Sequence, residues 1–207
     1  MSNVKSIRSE PFLWIHLMGV ALFPIFVGAS AIALSIGKSY PVIVELSFLL
    51  IVGVLPVFWM QVSHPFDIFS VLFVALKPEC LDDNQKVILS LFKTFKQKLF
   101  SAIAAVMMTL LLWLLYRLSP LTTGIVDFLP QWRILGLGIA GASFFASNLF
   151  FQIPLSVLLV LLTQESKLVK IAPYTTDKIY HDFTLAGIKV DRILWFLASE
   201  TDSQETI

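Results

Sequence analysis

The 207-residue chain is 57% hydrophobic and 14% charged, with 15 Lys and Arg against 14 Asp and Glu. Soluble domains average roughly half apolar and a quarter charged residues, so the composition excludes an ordinary soluble domain and indicates a membrane protein. A net charge of +1 gives no preference for nucleic acid, which is not expected as a partner, and the single Cys80 excludes an internal disulfide.

Four apolar runs are long enough to cross a hydrocarbon core of about 30 Å at about 1.5 Å per residue. They cover 12–37, 41–62, 99–116 and 134–163. Lys5 and Arg8 precede the first, which reaches Ala29-Ser30-Ala31 in the manner of a signal-peptide cleavage site. Apolar sequence continues past that point, so a retained helix is expected.

His16, inside the first run, is a candidate axial ligand for haem or chlorophyll. It lies beside Trp14 near the end of the run, where amphipathic rings populate the interfacial belt, and that bland role is favoured.

The second run, "PVIVELSFLLIVGVLPVFWMQ", contains Glu45 in its opening turns. The positive end of the helix dipole and snorkelling toward the interface reduce the cost of a charge there. Lys38, Arg117 and Arg133 are its candidate partners, and Pro56 predicts a kink further along. His16 and Glu45 fall near opposite ends of antiparallel helices, roughly 18 Å apart along the axis, so they are not expected to pair.

The connection from 64 to 98 has two pieces. "PFDIFSVLFVALKP" is too short to span and is expected to lie at the interface, re-enter, or pack on the bundle. "LDDNQKVILSLFKTFKQKLF" places Ile88, Leu91, Phe92, Phe95 and Leu99 on one helical face, with Lys86, Lys93, Lys96 and Lys98 around the other. Asp82 and Gln85 have capping-box spacing. A basic amphipathic helix running into the third span is predicted, with its lysines either binding anionic lipid or forming a solvated face.

In the fourth run, Gly138, Ala142 and Ala146 recur every four residues, a spacing that lets another helix approach closely. Asn148 and Gln152 share one face and are expected to act as interhelical hydrogen-bond glue; a polar track is the functional alternative. The tail from 164 holds apolar residues around "DFTLAGIKVDRILWFLAS", read as a short docked element, either strand-turn-strand about Ala186-Gly187 or a helix from Lys189.

All Lys and Arg except Lys38, Arg117 and Arg133 lie in the N-terminus, the 64–98 connection and the tail. The positive-inside rule therefore puts both termini and that connection in the cytoplasm. The expected fold is an all-α membrane protein: four transmembrane helices in residues 1–163, a cytoplasmic amphipathic helix between the second and third, and a short cytoplasmic C-terminal element in 164–207. No phosphate-binding glycine loop, H-E-x-x-H, C-x-x-C or G-x-S-x-G pattern occurs, so no catalytic residues and no metal site are assigned, and the chain is expected not to be an enzyme.

"SEPFLWIHL" at 9–17, "ALKPECLDDNQKVILSLFKTFKQK" at 75–98, "LPQWRILGLGIAGASFFASNLFFQIPLSVLLVLLT" at 129–163 and "YHDFTLAGIKVDRIL" at 180–194 resemble the cyanobacterial low-complexity-tail membrane protein family. The resemblance implies a thylakoid or plasma membrane of a cyanobacterium and a role in photosynthetic complex biogenesis, with photosystem II subunits as partners. It carries no active site. The expected function is thus a non-enzymatic accessory or assembly protein with no cofactor. The alternatives are a small oligomeric transporter or channel, and a pigment or haem protein with His16 as ligand.

Overall fold

The computed structural model describes residues 7–71, 74–122, 124, 132–164, 171–185 and 187–191. Four helices in it are long and apolar enough to cross a membrane: Pro11–Ala33, Val42–Ser63, Phe95–Leu121 and Arg133–Leu161.

Two of these spans are interrupted where proline withdraws a backbone donor. In the first, α1 (Pro11–Met18) passes through a 3-10 turn, Gly19–Leu22, into α2 (Phe23–Ala33). Pro24 has no N–H to offer the Val20 carbonyl, and the Phe23 amide closes on that oxygen instead, tightening the turn. In the second, α3 (Val42–Leu49) widens into a π-turn, Leu50–Val54, before α4 (Leu55–Ser63). Pro56 removes the donor for the Val52 carbonyl, and here the ladder relaxes outward, with the Leu55 amide reaching back to the Leu50 oxygen.

The segment between the second and third spans is not a single helix. It opens with a β-hairpin, β1 (Ser70–Val71) antiparallel to β2 (Val74–Leu76), then forms α5 (Asp83–Phe92). The Asp82 carboxylate accepts the Gln85 amide at 2.7 Å and the Gln85 side chain accepts the Asp82 amide at 3.1 Å, closing the capping box. The expected continuous run into the third span breaks at Lys93-Thr94, and α6 (Phe95–Leu118) begins a turn earlier than residue 99. Lys96 and Lys98 consequently belong to the first turn of the third span.

α7 (Arg133–Leu161) is the central helix: half of its most apolar window is buried inside the chain, against 11% for the first span. Its most extensive contact is with α2. Phe144, Leu49, Val54, Met108, Leu112 and Ala140 form the heart of this part of the core. Ile25, Ile43, Ile51, Leu110, Leu121 and Ile134 stay exposed, the arrangement expected when hydrocarbon is the solvent.

A second core joins the other end of the bundle to the segments outside the spans. Ile68, Phe69, Leu89, Phe92, Val157 and Ile179 pack together there. The tail contributes α8 (Thr176–Asp182) and β3 (Ile188–Val190), which pairs parallel with β2; Phe66 bridges Thr184. Gly187 takes a left-handed φ of 100° just before β3, a conformation that glycine adopts without a Cβ clash. The expectation of an all-α fold is therefore corrected to a mostly helical one carrying a three-stranded sheet. That sheet arises because the 64–76 segment and the distant tail supply each other's edge hydrogen bonds. The helical alternative for the tail is excluded at 188–190; its continuation from 192 lies outside the described residues.

Candidate functional site

At the end of the bundle opposite the sheet, Glu45 is fully buried. The expectation that it snorkels to the edge is corrected, because Arg133, the first residue of α7, meets it inside the bundle. Arg133 Nε donates to Glu45 Oε1 at 2.6 Å, and Nη2 donates to Oε2. Nη1 donates to the carbonyls of Leu34 at 2.6 Å and Ile36 at 3.0 Å, where α2 has ended. The Tyr40 amide donates to Glu45 Oε1 at 2.7 Å.

One guanidinium thus ties together the first, second and fourth spans. A planar fork matches a carboxylate in two bonds and still has donors for the orphan carbonyls of a helix end. Close approach is secured by Gly136: a Cβ there would lie 2.9 Å from the Ala33 carbonyl oxygen and 2.9 Å from Ile36 Cβ. Ser35 Oγ donates to the Ser119 carbonyl at 2.7 Å, and Ser30 Oγ to that of Ala140 at 3.1 Å.

Asn148 and Gln152 are buried on the inner face of α7. Asn148 Nδ2 donates to the Gly53 carbonyl at 3.0 Å and to that of Val54 at 3.4 Å, at the π-turn where Pro56 has disturbed the ladder. Gln152 Nε2 donates to Asn148 Oδ1 at 2.9 Å. One turn further, the Ser156 carbonyl accepts Gln97 Nε2 of α6 at 2.9 Å. This polar string lies in the half of the bundle nearer the sheet, and the apolar core around Phe144 and Leu112 separates it from Glu45.

His16 is part-buried; its Nδ1 donates to the Phe12 carbonyl at 2.8 Å, and its ring lies 5.7 Å from that of Phe66. It has no contact with Glu45. Among the described residues no group of three or more His, Cys, Asp or Glu is placed to hold a metal.

Gly138 and Ala142 are exposed and Ala146 is half-buried, with nothing within 4 Å of a Cβ built on Gly138. The small residues that α7 uses inside the chain are instead Gly136, Ala140 and Gly141. Two positions along a helix rotate a stripe by about 200°, so the predicted stripe points away from the bundle.

The four lysines do not form one platform. Lys93 Nζ donates to the Ser63 carbonyl at 2.9 Å, approaches Asp182 at 3.9 Å and sits 5.7 Å from the Phe183 ring centre. Burial lowers its pKa against the opposing effect of Asp182. The Tyr174 hydroxyl also donates to Asp182, and that bond, more than Lys93, holds the carboxyl below the usual range. Lys93 is therefore a tie between α5 and the tail, while Lys86 is half-buried and Lys96 and Lys98 are exposed.

Asp67 was not singled out in the sequence because it stands as a lone acid, without a motif, in the short apolar piece "PFDIFSVLFVALKP". It is fully buried, Oδ1 accepts the Phe69 amide at 3.0 Å, Oδ2 has no partner among the described residues, and burial pushes its pKa up to about 6.

The sequence model of the low-complexity tail membrane protein-like family matches residues 9–195. The chain belongs to that family. For this family member, membership and the four apolar helices together make an integral membrane protein. No curated protein and no solved structure matches the chain.

Proposed function

We propose that this family member is a non-enzymatic accessory or assembly protein that docks in the bilayer against a larger membrane complex. The observation that carries the reading is the outward Gly138–Ala142–Ala146 stripe. Small residues on a lipid-facing helix leave a shallow groove into which another helix packs closely, whereas the neighbouring large side chains Ile134, Leu135 and Ile139 are exposed as lipid-facing residues are.

The sheet-bearing end, which collects most of the lysines, is assigned to the cytoplasm by the positive-inside rule. The family resemblance suggests the specific setting: photosystem II biogenesis in a cyanobacterial thylakoid or plasma membrane. Affinity purification from native membranes in gentle detergent, followed by a native gel, tests the proposal. Co-migration with a complex several times the mass of the chain is expected, and migration solely as a small free protein defeats it.

A further inference from the structure

A cleft of about 690 Å³ opens where the third span begins and the fourth ends, inside the range of about 300–1,000 Å³ typical of small-molecule sites. Phe95, Phe100, Leu159 and Leu162 supply its apolar walls, and Lys96 and Gln97 its polar groups. We propose that this cleft binds one anionic phospholipid with a hydroxylated headgroup, of the phosphatidylglycerol class, its phosphate on the first turn of α6 and its acyl chains along the apolar walls.

Three independent features converge on that chemistry. First, α6 starts without a side-chain cap. Thr94 stands at the N-cap, but its hydroxyl donates backward to the Leu91 carbonyl at 3.0 Å. The first-turn amides and the positive end of a 24-residue helix dipole are left for an anion, beside the exposed Lys96 ammonium.

Second, Gln97 is 5% exposed, its Nε2 is committed to Ser156, and its Oε1 has no hydrogen-bond partner among the described residues. A buried carbonyl oxygen without a donor leaves the cost of its desolvation uncompensated. The phosphodiester of the lipid cannot relieve that cost, because its oxygens only accept, whereas a headgroup hydroxyl donates the missing hydrogen.

Third, the walls continue as exposed aromatic and aliphatic side chains, with Phe95 79% and Leu162 69% exposed. A soluble anion has no use for such surface, but an acyl chain fits it. The occupant commits to being a lipid for this reason. The inference concerns a lipid site on the chain itself and stands apart from docking against a partner complex.

Native mass spectrometry of the full chain, delipidated in mild detergent and offered defined lipids, provides the test. Phosphatidylglycerol should be retained as a single adduct in preference to phosphatidylcholine. Phosphatidylmethanol, an anionic phosphodiester that lacks the headgroup hydroxyl, should be retained less well than phosphatidylglycerol, and glycerol 3-phosphate, which lacks chains, should not compete.

Lys96→Glu should reduce the phosphatidylglycerol preference by roughly fivefold or more with the melting temperature unchanged, and Lys86→Glu should leave it intact. Gln97→Leu should abolish discrimination between phosphatidylglycerol and phosphatidylmethanol while keeping the preference for anionic lipid. Equal retention of phosphatidylglycerol and phosphatidylcholine by the wild-type chain overturns the proposal. So does an unaltered preference in Lys96→Glu, or competition by glycerol 3-phosphate.

Discussion

Replacing Arg133 with Met tests the clamp at the sheet-free end most severely. The substitution keeps the volume of an unbranched side chain but removes two bonds to the fully buried Glu45 carboxylate and one each to the carbonyls of Leu34 and Ile36. Glu45 would keep the Tyr40 amide. Stranding one member of a buried pair costs about 3–5 kcal/mol, a large share of the roughly 5–15 kcal/mol that holds a domain folded.

The double variant Glu45→Leu/Arg133→Met removes the stranded charge and should be less destabilised than Arg133→Met alone, with a coupling of at least about 2 kcal/mol. Arg133→Lys should fall between wild type and Met, since a point charge cannot serve the carboxylate and the helix-end carbonyls at once. Reversible unfolding of the purified chain in detergent, by denaturant titration, measures wild type, these three variants and Glu45→Leu, the remaining corner of the cycle. Single losses each below about 1 kcal/mol, additive within about 0.5 kcal/mol in the double variant, would show that water reaches the pair and that it holds nothing together.

Two further substitutions probe other parts of the structure. Gly136→Ala places a Cβ against the Ala33 carbonyl and Ile36; overpacking of this kind should cost about 1–3 kcal/mol in the same assay, whereas Gly138→Ala, in open space, should be neutral or slightly stabilising. Asp67 ionises near pH 6 in the folded chain and near 3.8 when exposed, so the folded state holds its proton more tightly. The penalty is about 3 kcal/mol above pH 6, shrinks as the pH falls toward 4, and vanishes below that. Stability should therefore rise on acidification across this window, and Asp67→Asn should flatten that rise when unfolding is followed from pH 7.5 to 4.5.

The spans were legible in the sequence because length and hydropathy alone define them, but their ends were not. The first apolar run continues to residue 37, yet α2 ends at Ala33, since Arg133, about a hundred residues away, takes the carbonyls of Leu34 and Ile36. Thr94 and Gln97 have the spacing of a capping box, a signal for the start of α6 that was present but diverted: each side chain bonds elsewhere.

Of the three cations near Glu45 in the topology, only three-dimensional packing selects Arg133. A strand about Ala186-Gly187 was one of the two readings of the tail, but its pairing was not legible, because β2 and β3 are over a hundred residues apart and each is three residues long, too short for a period to register. The small-residue stripes at 136/140 and 138/142/146 obey the same spacing, so sequence periodicity could not say which faces inward.

That outward stripe is where the account of function is most exposed to disproof. Ala142→Leu fills the groove on a surface that makes no close contact within the chain, so the melting temperature of the purified protein should not fall. On a native gel of membranes solubilised in gentle detergent, the wild-type chain should run with a large complex and the variant should run free. Full co-migration of the variant with that complex, at wild-type abundance, would contradict the proposal that the stripe is the docking face.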